Sequence, residues 1–172
     1  MQPLNSITLH YDVNEDRLLV ALNAGSAGAI GYWLTRRLTL NVIAAANPYL
    51  DRMSPVASKT PTALRGELAT MEREVALAST QGSVSHTPPT ALESAGVSAD
   101  LAVELNIAGE GQGFRLRFRG RKGSEAAVGC LRAELQRVIH MLEQEALKAG
   151  WREAPPPAAP QADSSVTKRR VN

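Results

Sequence analysis

Two stretches of alternating apolar and polar residues frame this chain. Near the start, Ile7, Leu9, Tyr11 and Val13 are apolar and Thr8, His10 and Asp12 between them are polar. A period of two puts one face of a strand against a core and the other toward water. Residues 14–17 supply turn chemistry and Leu18 to Leu22 forms a second apolar run, so the first 23 residues predict a hairpin. In the last third, Leu101, Val103, Leu105 and Ile107 alternate with Ala102, Glu104 and Asn106. After a turn at Gly109 to Gly113, the apolar Phe114, Leu116 and Phe118 alternate with Arg115, Arg117 and Arg119, which predicts a second hairpin.

Each hairpin gives way to helical spacing. Trp33, Leu34, Leu38, Val42 and Ala45 predict a helix over roughly 32–46, which Pro48 ends or kinks. A second helix runs from Thr60, as N-cap to Pro61, to about Ser79, with Leu64, Leu68, Met71 and Val75 on one stripe. Gly66 inside it costs ~1 kcal/mol relative to alanine, so this helix depends on docking. The longest predicted helix has Ser124 as N-cap, Glu125 in its first turn, Lys148 in its last and Gly150 just past its end. Its seam is Val128, Leu131, Leu135, Val138 and Leu142, a stripe for the core or for an interface.

Hairpin then helix therefore occurs twice, without residue-by-residue similarity between the copies. The predicted fold is α+β: two β-hairpin-plus-helix units forming a mainly antiparallel four-stranded sheet covered by helices. Residues 1–150 form the single domain, with a mobile connection at 80–99. Residues 151–172 are a disordered tail, rich in proline and alanine and ending in Lys168-Arg169-Arg170.

Composition narrows the picture. Hydrophobic residues make up 44% of the 172, but 26 of them are alanine and only seven residues are aromatic, so the core is thin and aliphatic. No uninterrupted apolar run approaches the ~20 residues of a membrane span. Met1 to Ser6 lacks the basic and then apolar pattern of a signal peptide. A single cysteine, Cys130, allows neither an intrachain disulfide nor a cysteine-rich zinc site, and the expected location is cytoplasmic.

The net charge of +2 conceals an uneven distribution. Residues 1–149 hold 15 basic and 15 acidic side chains, whereas positions 114–122 hold five basic ones and no acid. Arg115, Arg117, Arg119, Arg121 and Lys122 thus form the one surface with a recognisable shape. They are either a solvated face that blocks sheet-to-sheet aggregation or a contact for phosphates, acidic protein or anionic lipid.

Other candidate chemistry is weak. Gly25, Gly28 and Gly31 lie between a strand and a helix, but their spacing matches neither the dinucleotide fingerprint nor the P-loop. Of His10, His86 and His140, only His140 has a carboxylate one helical turn away, Glu143, and two ligands make a poor metal site. Cys130 has no partner base, and no paired carboxylates suggest acid–base work. No catalytic residue, metal or cofactor is assigned. The pattern predicts a small non-enzymatic binding or accessory protein acting through association with another protein chain, a second copy or a subunit of a complex. Nucleic-acid binding through the basic strand 114–122 is the alternative.

Overall fold

A computed structural model of the chain describes residues 2–23, 30–56, 59–78 and 98–153. Seven strands, β1 (Gln2–Pro3), β2 (Ile7–Asp12), β3 (Arg17–Leu22), β4 (Ile30–Thr35), β5 (Ala99–Glu110), β6 (Gly113–Gly120) and β7 (Glu125–Cys130), form one sheet in the order β1-β7-β6-β5-β4-β3-β2. Three α-helices accompany it: α1 (Arg36–Arg52), α2 (Arg65–Ala78), preceded by a single 3₁₀ turn, and α3 (Arg132–Lys148). Even without the two-residue β1 there are six strands, not the four that the hairpin pattern predicts.

The two additional strands lie where the sequence reads as helix. Residues 30–35 pair with β3 in antiparallel register, Trp33 opposite Leu19 and Tyr32 opposite Val20, so α1 begins at Arg36 rather than near Tyr32. Residues 125–130 pair with β6, so α3 begins at Arg132 rather than just after Ser124. In both places the strand passes into a helix with no intervening loop. Thr35 caps α1 by accepting the Leu38 amide at 3.3 Å. At α3 the Glu134 carboxylate takes the Leu131 amide at 2.7 Å. Without Gly, Pro or Asn to mark the joint, an apolar residue of a strand is indistinguishable by spacing from the first turn of a helix.

Pro48 does not end α1, which continues to Arg52. An interior proline removes one helical hydrogen bond and costs ~3 kcal/mol. Packing beyond it holds the last turn in place: Leu50 is buried, and Tyr49 sets its ring edge-on to Phe114 and accepts the Gly109 amide at 2.7 Å.

The recurring unit is therefore a three-stranded meander plus a helix of 17 residues, β2-β3-β4-α1 and β5-β6-β7-α3. The units join where β4 and β5 run parallel, but only Gly31–Trp33 pairs with Ala99–Leu101. Beyond that point β5 continues to Glu110 and α1 lies alongside it.

The sheet also curls back on itself. In a flat sheet the six spacings between β1 and β2 would separate them by ~29 Å, yet the three linking residues can bridge only ~14 Å. The Leu4 amide bonds the Gly129 carbonyl on β7, while the Ser6 carbonyl accepts the Asn23 amide beyond β3. One N-terminal segment thus stitches both ends of the strand order together. The inner face holds Ile7, Leu9, Leu18, Val20, Tyr32, Leu34, Phe114, Leu116 and Phe118 against Val42, Ile43, Ala46 and Leu50 of α1 and Leu135, Val138, Ile139 and Leu142 of α3.

Candidate functional site

The predicted seam divides. Leu135, Val138 and Leu142 lie on α3 and are buried in the core. Val128 is also buried, but on β7, and Leu131 is the N-cap of α3 and is 63% exposed. Four of the five seam residues are therefore spent in the core, and Leu131 alone is left at the surface.

The arginines of β6 project from the outer face, because Phe114, Leu116 and Phe118 point inward. Each meets a carboxylate. Arg115 holds Glu110 through two nitrogens, Arg117 reaches Glu125 at 3.0 Å, and Arg119 reaches Glu104 at 2.7 Å through Nε. The Arg115 guanidinium holds Glu110 below the usual carboxylate range, and Glu110 in turn raises Arg115. All three pairs are exposed, so water and salt screen them and they contribute little to stability. Among the described residues, only Arg121 and Lys122 of the row lack a carboxylate partner; the Lys122 amide donates to Asp100. The row is thus a set of cross-strand ion pairs with two cations at one end.

The anticipated alternation of β5 is broken by a register shift between Ala102 and Glu104. A bulge puts two residues opposite one, so side chains before and after it swap faces. Leu105 and Ile107 pack inward, whereas Val103 is 50% exposed and Leu101 pairs with Trp33 outside the core.

On α2 the expected apolar stripe is present but faces the wrong way for a core. Leu64, in the 3₁₀ turn just before α2, and Met71 and Val75 on it are 51%, 60% and 64% exposed, Leu68 is half-buried, and only Ala76 of the helix is buried. What holds α2 down is largely polar. Glu72 takes a hydrogen bond from Ser54 and pairs with Arg132, which also donates to the Leu50 carbonyl at 2.8 Å. Arg73 donates to Asn47, which donates in turn to Glu143 at 2.9 Å. With Glu72 and Arg73 turned inward and Leu64, Met71 and Val75 outward, this helical segment presents an apolar side that has no cover among the described residues.

The remaining candidates scatter. Residues 25–29 of the glycine run, His86 and the tail beyond Glu153 lie outside the described residues, as do positions 79–97 of the connection; Gly31 is a buried residue of β4. His10 is exposed on β2, and Glu143, the candidate metal partner of His140, is engaged by Asn47 and Arg152. Among the described residues, no three His, Cys, Asp or Glu side chains gather as metal ligands. Cys130 is buried at the end of β7, beside a cleft of about 530 Å³ lined by Leu4, Glu110 and Glu134. Burial, with Glu134 nearby, pushes its thiol up to about 12, the reverse of what a nucleophile needs.

Sequence pattern does not reveal one buried polar cluster. Asp100, at the start of β5, accepts the Ser124 hydroxyl at 2.7 Å, the Leu101 amide at 2.7 Å and the Lys122 amide at 3.0 Å. Gly120 is required beside it, since a Cβ there would overlap the Asp100 carboxylate and the Ser124 oxygen. The cluster ties the β6–β7 turn to β5 and is structural.

Among the described residues, no helix is long and apolar enough to cross a membrane. No family model matches the chain, and neither a curated protein nor a solved structure does.

Proposed function

We propose that this chain is a small binding protein that works through association with another protein chain, and that the α2 face is where it associates. The observation that carries this reading is the outward stripe of Leu64, Met71 and Val75 on a helix whose inward contacts are polar. Isolated exposed apolar side chains are ordinary, but several at helical spacing on one face are the signature of a helix that packs on a partner.

The partner that fits is a second copy. In an antiparallel pair of α2 helices related by a two-fold axis, Leu64 stands opposite Val75 and Leu68 opposite Met71. Phosphate binding by the β6 row is the weaker reading, because an incoming phosphate would have to displace the carboxylates already on Arg115, Arg117 and Arg119.

Sedimentation equilibrium tests the proposal. The wild type is expected to dimerise, and Met71→Glu with Val75→Glu to give a folded monomer whose melting temperature, unlike that of the wild type, does not rise with protein concentration. A wild type that stays monomeric at ~100 μM removes self-association as the mode.

A further inference from the structure

We infer that the groove between α1 and the overhanging half of β5 is a binding site for an extended peptide segment of a partner protein, received by β-strand addition. This site is separate from the α2 face and does not depend on it.

β4 and β5 are unequal in length, six residues against twelve. β4 ends at Thr35, and its pairing with β5 stops at Leu101, so residues 104–110 have β6 on one side and, among the described residues, no strand on the other. At ~3.3 Å per residue that overhang is ~23 Å long, close to the ~25 Å length of the 17-residue α1 beside it. Tyr49 shows how the open edge is oriented. Its hydroxyl accepts the Gly109 amide at 2.7 Å, so Gly109 points its N–H away from β6. Backbone groups alternate along an antiparallel strand, so Ile107 and Leu105 direct theirs the same way. Among the described residues no other group takes these two amides. An unpaired row of donors and acceptors is a template for one more strand.

A cleft of about 240 Å³ lies along this edge, lined by Val42, Ala45, Tyr49, Arg52, Leu105 and Ile107, with Ala46 and Asn106 completing it. A helix on one side and an open strand edge on the other make the geometry in which proteins receive peptides by strand addition: main-chain bonds supply affinity and side-chain contacts supply selectivity. Val42, Ala45, Leu105 and Ile107 give the cleft an apolar stretch between the polar Asn106 and Arg52, so the segment should carry apolar side chains at every second position where it meets them. Arg52 lies over the Tyr49 ring at 6.0 Å from its centroid, is exposed and has no carboxylate partner among the described residues. It selects a segment with a carboxylate at that end of the groove.

The test uses the whole chain and a fluorescein-labelled nonapeptide alternating valine and threonine with a terminal glutamate, read by fluorescence anisotropy. Binding is expected, and it should fall by at least about tenfold when alternate peptide amides are N-methylated. Ala45→Trp fills the groove from an exposed helical position and should cost at least about tenfold, while Ala44→Trp, one residue away and off the groove, should leave affinity within about twofold. Arg52→Glu should reverse the preference between a terminal glutamate and a terminal lysine. Hydrogen exchange supplies a readout independent of the peptide chosen: the Leu105 and Ile107 amides should exchange faster than those of Asn106 and Ala108 in the free protein and slow on peptide addition. No anisotropy change up to about 1 mM, equal binding of the N-methylated peptide, or unimpaired binding by Ala45→Trp overturns the proposal. Full protection of Leu105 and Ile107 in the free protein does so too, because another part of the chain would then occupy the edge.

Discussion

Asp100 shows how much a single side chain decides here. Its carboxylate is held below the ordinary range, chiefly by the Ser124 hydroxyl, with the backbone amides of Lys122, Leu101 and Ser124 adding to the effect against an opposing cost of burial. A depressed folded value means that the ionised form stabilises the fold. That contribution is complete above the unfolded value of about 3.9 and disappears as pH falls through the lower folded value. Asp100→Asn should therefore lower the melting temperature at pH 7, and the gap from wild type should close below pH ~4. A gap of constant size from pH 7 to ~2.5 would show that the carboxylate charge is not what matters. Asp16 belongs to the same acid window. It accepts the Trp151 indole N–H and the Tyr11 hydroxyl, each at 2.9 Å, and its carboxyl is lowered for that reason.

Among the elements, α3 separates periodicity from placement. Spacing predicts one continuous stripe from Val128 to Leu142, but the strand-to-helix joint at Leu131 divides it into a β7 residue, an exposed cap and three core residues. The energetic consequence is measurable by urea denaturation. Leu142→Ala should cost ~2–5 kcal/mol because it empties a fully enclosed site. Leu131→Ala should change stability by less than ~0.5 kcal/mol because most of that side chain already meets water. Comparable losses at the two positions would place Leu131 inside the helix seam after all. On α2 the same stripe logic identifies the right residues and the wrong neighbour, since Glu72 and Arg73 occupy the inward face. A helix held by polar contacts can present its apolar side outward, which is why α2 and not α3 is the candidate interface.

At the scale of the whole molecule, the fold is closed by its two ends. The N-terminal segment stitches β7 to β3, and the C-terminal end of α3 turns the chain back onto β2. Gly150, at φ 67°, stands just past the helix as its position in the sequence predicts; the Trp151 amide then bonds the Ala146 carbonyl at 2.9 Å. This turn carries Trp151, which the composition assigns to the tail, into a buried position edge-on to Tyr11 at 5.4 Å. Trp151→Ala is expected to lose ~3–5 kcal/mol in thermal or denaturant unfolding, and a loss under ~1 kcal/mol would mean that the closure is dispensable. The β5–α1 groove also belongs to this scale, since it exists only because one unit of the repeat has a longer first strand than the other has a last one.

Local pattern by itself determined both hairpins, the helical content, the Gly150 stop and the outward row of Arg115, Arg117 and Arg119. Those features depend on near neighbours and on a side-chain period, both of which are written along the chain. Tertiary structure alone decided the rest. Residues 30–35 and 125–130 became strands because β3 and β6 offered them backbone partners, and a hydrogen bond between strands carries no local signature. The bulge in β5, the carboxylate partners of the arginines and the outward turn of the α2 stripe likewise depend on which surface arrives opposite. The open edge of β5 is the limiting case: in sequence Leu105 and Ile107 are ordinary strand residues, and only the early end of β4 leaves them, among the described residues, without a strand opposite β6.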